Sequence, residues 1–567
     1  MKNVLDLKDI IVFMIYFVIV AGYGYWIYQR KRKASLGTKD FFLAEGSLTW
    51  WAIGASLIAS NISAEQFIGM SGSGFKMGLA IATYEWMAAA SLIIVAVFFI
   101  PVYLKNKIYT MPQFLNQRYN GTVSTIMAIF WLFLYVVVNL MSILYLGALA
   151  VSGISGLDLN LCMIALSLFA IVITLGGMKV IGYTDVIQVF FLILGGLVAT
   201  YLALNLLVDT SGGTYSMSRA MEGLGIMRRD ADEHFHMILK PDNPSYLDLP
   251  GLTVLIGGMW ITNLNYWGCN QYITQRALGA DLKTARSGIL FAAFLKILMP
   301  IIVVLPGIAV YILNEKGYFT GGELLDSKGT LAVDKAYPTL LNLLPTGLKG
   351  LAFAALTAAI VASLAGKANS IATIFSLDIY KKVIDRDAED GKLVKIGKIA
   401  VIVSMVIAMI LAFVVGEKLM GEGKQGFQYI QEYTGFVSPG IFAMFILGFF
   451  WKKTTSNAAL FATVGGFIFS MIFKFLPYFA DLSFLAPLGF SKLNGDGVYE
   501  IPFLDRMGFV FILSVTGMVI ISLYETAKGV RPKALEVDTK MFKLNPGFAI
   551  GTFIVLAILT TLYTVFW

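Results

Sequence analysis

Charge is what this sequence has least of. Asp, Glu, Lys and Arg supply 14% of its 567 residues, where a soluble domain carries roughly a quarter. Cysteine and histidine are nearly missing, with two of each. Cys162 and Cys269 lie in separate apolar stretches, which argues against a disulfide framework. His234 and His236 share a polar loop without a nearby cysteine and read as a solvated pair rather than a metal site. No phosphate-cradling glycine loop, nucleophile elbow or metal-ligand spacing occurs, so an enzyme is not expected. What the chain has in excess is hydrophobic residues, 58% of the total, at a mean hydropathy of +0.77. They fall in uncharged runs of about 20 residues or more, the length that crosses a bilayer.

These runs predict an all-α polytopic membrane protein with about fourteen spans: 8–29, 48–71, 76–104, 123–152, 156–176, 180–206, 251–272, 286–313, 345–380, 395–416, 428–451, 456–478, 503–525 and 547–566. Alternate loops are basic. They hold Arg30 to Lys33, Lys105 with Lys107 and Arg118, Lys179, Arg276 with Lys283 and Arg286, Lys381-Lys382, Lys452-Lys453, and a last cluster from Lys528 to Lys543. The positive-inside rule makes these loops cytoplasmic and places both termini outside, in the cell (inner) membrane. The net charge of +8 then faces the inner leaflet of the lipid bilayer, and no nucleic-acid partner is implied. Span 8–29 is too long and aromatic for a cleaved signal peptide and reads as retained.

Two spans break the apolar pattern. "LIASNISAEQFIGM", Leu57 to Met70, holds Asn61, Ser63, Glu65 and Gln66 among small residues. "GGMWITNLNYWGCNQY" does the same with Thr262, Asn263, Asn265, Asn270 and Gln271. Small residues alone would indicate close helix packing, but ionisable and amide groups in a bilayer face a cavity or a partner. These are the second and seventh spans, five apart. Glycine-interrupted polar spans at corresponding positions of two halves point to an inverted-repeat transporter.

The same residues carry a resemblance. "GASLIASNISAEQFIGMSGSGF", "YEWM", "YTDVIQ", "NYWGCNQY", "FAAFLK", "NSIATIFSLDIY" and "FQYIQEYTGFVSPG" resemble the sodium/galactose-type symporters of the solute:sodium symporter family over nearly the whole chain. The resemblance implies a single transmembrane transporter domain of LeuT type. It consists of an extra helix at about 8–29, a five-plus-five inverted-repeat core at about 48–451, and additional helices at about 456–566. It also implies sodium-coupled symport of a small neutral hexose, galactose or glucose, into the cell by alternating access, with no obligatory protein partner. Another polyol or sialic acid in the same fold is the alternative substrate, and a proton-coupled or sodium-independent carrier is the alternative mechanism.

The family's sugar ligands fall on Gln66, Glu85, Asn263, Lys296 and Gln431, with Tyr266 as a stacking inner gate. Each suits a pyranose, whose hydroxyls donate and accept and whose ring has an apolar face. Asn61, Tyr84, Trp267 and Phe427 belong to the same cavity, although Trp267 and Phe427 fit a lipid-facing or core position equally. Glu85 and Lys296 also fit a structural ion pair. Where those relatives have a serine three residues past the glutamate, this chain has Ala88, which removes one hydrogen bond to the sugar, worth about 1 kcal/mol.

For the sodium ion, the resemblance gives the carbonyls of Ala59 and Ile62 at the break in the second span. The ninth span adds the Ala359 carbonyl and the Ser363 hydroxyl. The second hydroxyl position is Ala362, so one oxygen ligand of five is missing for a hard cation. Lys367 stands one helical turn beyond Ser363, where the relatives are apolar. It is expected either to reach a polar cytoplasmic cavity or to pair with Asp185, an acidic residue on the family's exit path.

Overall fold

The computed structural model describes residues 5–31, 48–63, 65–209, 214–325, 329–420 and 426–567. Arg32 and Lys33 of the first basic loop, and the side chains of Arg30, Lys31, Glu65 and Lys179, lie outside that description. Among the described residues ten helices are long and apolar enough to cross a membrane, and the pair Gly426–Gly435 and Ser438–Phe450, bent by 49°, makes an eleventh. The count of fourteen therefore does not carry over as continuous spans. The expected fifth span is a shorter apolar helix, Leu159–Thr174, and the second and seventh are broken.

The breaks follow from the polar residues. The second span runs as a helix from Trp50 to Asn61, leaves helical geometry at Ile62 (ψ 108°), and resumes as a π-helix, Glu65–Met70, then Ser71–Met77. The Gln66 amide oxygen accepts from Ser63 N and Oγ at 3.0 and 3.1 Å, offering the backbone an alternative to the next helical bond. The seventh span is divided into Thr253–Ile256, Gly258–Gly268 and Gln271–Leu278. At its second break the Gly268 carbonyl is taken by Tyr103 Oη at 2.7 Å. A break at membrane depth survives only where protein satisfies the freed groups. Residues 52–61 are accordingly all buried.

The ninth span, Leu348–Thr373, is buried along nearly its whole length and packs across Met178–Val208 and against the first half of the second span, Trp50–Asn61. Peripheral helices instead expose apolar side chains, such as Phe553 at 73% and Val172 at 70%, as lipid contact requires. Cys162 and Cys269 are buried and free.

Close backbone approach fixes the core. In the helix Leu305–Glu315, a Cβ on Gly307 would stand 1.9 Å from the Ser71 carbonyl oxygen. Gly307→Ala is expected to destabilise the protein by about 1–3 kcal/mol, since backbone must shift to admit the methyl group. Thermal unfolding in detergent reads this directly, and an unchanged midpoint would show that the two helices can part without cost.

Two sequence-based expectations about loops need correction. His234 is half-buried, its ring stacked on Tyr311 at 4.0 Å and Nε2 meeting the Phe75 carbonyl at 3.1 Å, while His236 is exposed as expected. Burial lowers its pKa. Arg118, Arg276 and Arg286, counted among the basic loop charges, are all buried. Arg118 donates to the carbonyls of Gly448, Trp451 and Thr454, and Arg286 to those of Ala96, Met541 and Lys543. A guanidinium has five donors and suits carbonyls freed at helix ends.

Candidate functional site

A cavity of about 90 Å³ lies between the second, third, seventh, eighth and eleventh spans. All eleven residues assigned to the sugar site from the sequence line it: Asn61, Gln66, Tyr84, Glu85, Ala88, Asn263, Tyr266, Trp267, Lys296, Phe427 and Gln431. They come from elements far apart in the chain. The breaks in the second and seventh spans bring Asn61, Gln66, Asn263 and Tyr266 together, the helix Thr83–Ile94 supplies Glu85, Leu282–Val303 supplies Lys296, and Gly426–Gly435 supplies Phe427 and Gln431.

One charge pair organises the cavity. The Lys296 ammonium donates to both the Glu85 carboxylate and Asn61 Oδ1. Asn61 Nδ2 in turn donates to Tyr266 Oη at 2.9 Å. Lys296 also stands over the Trp267 ring, 5.3 Å from its centroid, and Tyr266 meets Trp267 edge-on at 5.1 Å. Asn263 Nδ2 donates to the Met259 carbonyl at 3.2 Å, leaving its amide oxygen for another donor. Tyr84 packs edge-on against Phe427 at 5.1 Å, and its buried hydroxyl has no hydrogen-bond partner among the described residues. Trp267 and Phe427, each 2% exposed, are cavity wall and not lipid-facing.

Several lining residues were not singled out as ligands: Asn139, Thr262, Asn265, Asn270, Tyr272 and Ser438. Asn139 had a signal, as a lone amide in the apolar π-helical stretch Leu134–Leu140. Asn265 Nδ2 donates to Ser438 Oγ at 3.1 Å, tying the seventh span to the eleventh. Tyr272 had none, because an aromatic beside a basic loop looks interfacial.

Ala59, Ile62, Ala359, Ala362 and Ser363 are all buried at the contact between the second and ninth spans. The Ser363 hydroxyl donates to the Ser60 carbonyl at 3.1 Å. The expected Asp185–Lys367 pair does not form. Asp185 accepts from Ser56 Oγ at 2.5 Å and lies 3.9 Å from Arg276 Nη2, while Arg276 Nε donates to the same Ser56 Oγ at 2.9 Å. Lys367 lines the same cavity and stands over the Tyr272 ring at 5.1 Å. Helical side chains lean toward the helix N-terminus. That lean suits a Lys367 that reaches the cavity, while Ser56 and Arg276 engage Asp185.

Comparison with known proteins agrees with this architecture. Residues 41–466 match the model of the sodium:solute symporter family. The chain is 46% identical to the sodium/glucose cotransporter of Vibrio parahaemolyticus over 99% of both chains. It is 33% identical to the human sodium/myo-inositol cotransporter 2 over 82% of this chain and 70% of that one. Among solved structures, a substrate-bound, outward-open Na+-coupled sialic acid symporter superposes with a TM-score of 0.74 at 20% identity, covering 94% of this chain and 100% of that one, which is a likeness of fold. These relatives are transporters, not enzymes. The chain, a multi-pass membrane protein with paired broken helices around a polar cavity, belongs to the sodium:solute symporter family.

Proposed function

We propose that the protein couples the entry of sodium to uptake of a neutral hexose of the glucose or galactose type by alternating access. In this reading residues 48–451 form a LeuT-type five-plus-five repeat, flanked by helices 8–29 and 456–566, with both termini outside the cell. The observation that carries it is the convergence of all eleven expected sugar-site side chains on one cavity. Glu85 and Gln431 accept from the sugar hydroxyls, Gln66 donates through its amide nitrogen, Asn263 donates and accepts, and Lys296 donates. Tyr266 supplies the ring face and, through Asn61, feels the state of the Glu85–Lys296 pair. The cavity is smaller than the roughly 300–1,000 Å³ of ligand pockets, so admission and release each require the gate to move.

Sodium, carried as co-substrate, is held by the carbonyls of Ala59, Ile62 and Ala359 and the hydroxyl of Ser363. Its binding stabilises the form in which the sugar ligands are assembled, and the coupling is reciprocal. The membrane potential adds about 2.3 kcal/mol per charge per 100 mV to the drive. Myo-inositol, the cargo in the human relative's name, is the second reading. It is favoured by Ala88, which presents no hydroxyl to discriminate one polyol from another.

Radiolabelled glucose, galactose and myo-inositol uptake into proteoliposomes, with and without an inward sodium gradient, tests this. Sodium-driven accumulation of one of them is expected. In the same assay Tyr266→Phe should retain partial transport while Tyr266→Ala loses accumulation, because alanine cannot provide the stacking face. Equal activity of the two variants would show that the ring is not a gate.

A further inference from the structure

Two charged anchors grip one half-helix of the eleventh span from opposite ends. The half-helix, Gly426–Gly435, carries Phe427, Ile430, Gln431 and Thr434 to the cavity and is bent 49° from Ser438–Phe450. At its start the Gly426 amide donates at 2.8 Å to Asp334, which sits in a short 3₁₀ turn, Val333–Lys335. Near its end Glu432 pairs with Lys474 at 2.7 Å and with Arg506. Glu500 bridges the same two cations at 3.1 and 3.3 Å. Lys474 lies at the end of Ser456–Phe475, Glu500 in the strand Tyr499–Glu500, and Arg506 at the start of Phe503–Ala527. Four alternating charges thus join four elements, and Arg506 is only 7% exposed.

A helix broken this sharply takes its direction from whatever holds its ends, since the intrahelical ladder no longer transmits it. Consecutive helical residues point about 100° apart. Gln431 faces the cavity while Glu432 faces the charged cluster. An isolated exposed pair would hold little, but a partly buried network with shared partners holds more.

We propose that Glu432 is a positioning residue for substrate binding: the Glu432–Lys474–Glu500–Arg506 cluster sets the tilt of Gly426–Gly435 and so presents Gln431 to the sugar. The inference rests on Gln431 contacting the sugar, as proposed above. Removing the carboxylate frees the half-helix without removing any group that touches the sugar, so affinity falls while the maximal rate is kept.

The test measures sodium-driven uptake of the transported sugar and, in parallel, electron-spin distances between labels at Tyr433→Cys and Lys240→Cys. The buried native cysteines do not compete for label. Glu432→Gln is expected to raise the sugar KM about tenfold, the equivalent of one charge-assisted hydrogen bond, and to broaden the distance distribution. Glu432→Asp, which keeps the negative charge beside Lys474 and Arg506, should bring both readouts back toward the wild type, which also separates lost charge from misfolding. An unchanged distance distribution overturns the proposal. Broadened distances with an unchanged KM also overturn it. Gln431→Ala alongside separates the two failures, because an unchanged KM there means that Gln431 does not touch the sugar.

Discussion

Glu85→Ala is expected to abolish uptake of the proposed sugar and to lower the stability of the detergent-solubilised protein by about 3–5 kcal/mol, the cost of leaving one member of a buried ion pair alone. Glu85 and Lys296 are 3% and 1% exposed, and Lys296 also serves Asn61. A polar cavity does not by itself solvate a stranded ammonium at that depth. The loss of uptake is therefore ambiguous in the single variant, and Glu85→Gln with Lys296→Met resolves it. With both charges gone the pair's desolvation cost also disappears, and most of the stability is expected to return. Uptake is expected to stay absent, because a neutral amide accepts more weakly than the carboxylate and methionine offers the sugar no donor. Recovery of both stability and transport in the double variant would show that the pair is scaffolding and that the sugar lies elsewhere.

The second large effect concerns sodium. Lys367→Met combined with Ala362→Ser should steepen the sodium dependence of uptake and lower the half-saturating sodium concentration about tenfold. One added oxygen ligand is worth roughly a charge-assisted hydrogen bond, and the substitution removes a positive charge close to the Ser363 turn. Because Lys367 also lines the sugar cavity over Tyr272, the sugar KM must be measured separately at saturating sodium. The expected wild-type behaviour is a weak sodium dependence. Equal sodium affinity in the wild type and the double variant would make Lys367 a bystander to coupling. Complete indifference of wild-type uptake to sodium, with dependence on a proton gradient, would favour the proton-coupled mechanism.

Much of the site was legible because its members announce themselves locally. Amides at Asn61, Gln66 and Asn263 stand out against apolar neighbours, since any polar group at membrane depth needs a partner; Glu85, Lys296 and Gln431 came only from the resemblance to the sodium/galactose-type symporters. The same rule failed for the arginines. Arg118, Arg276 and Arg286 border apolar runs, and composition reads such residues as loop charges; the fold turns them inward to carbonyls and to Asp185. It failed again for Lys367, whose pairing with Asp185 was expected from the resemblance and from their common side of the membrane, while Ser56 and Arg276 hold Asp185.

The sequence by itself determined that this is a helical membrane protein with two polar, broken spans, because hydropathy and helix interruption are sums over neighbouring residues. The resemblance it carries also named eleven side chains that line one cavity. Only the tertiary structure decided which charges pair. Asp185 and Arg276, Glu85 and Lys296, and Glu432 with Lys474, Glu500 and Arg506 lie in different helices or, for Glu500, in a strand, and no periodicity links them. It decided the span count too, since a half-helix bent by 49° and a broken span have the hydropathy of a continuous one. A charge within a span must find an opposite charge, a carbonyl or a cavity. Which of these it finds depends on how the helices pack, and packing brings together residues that are distant in the chain.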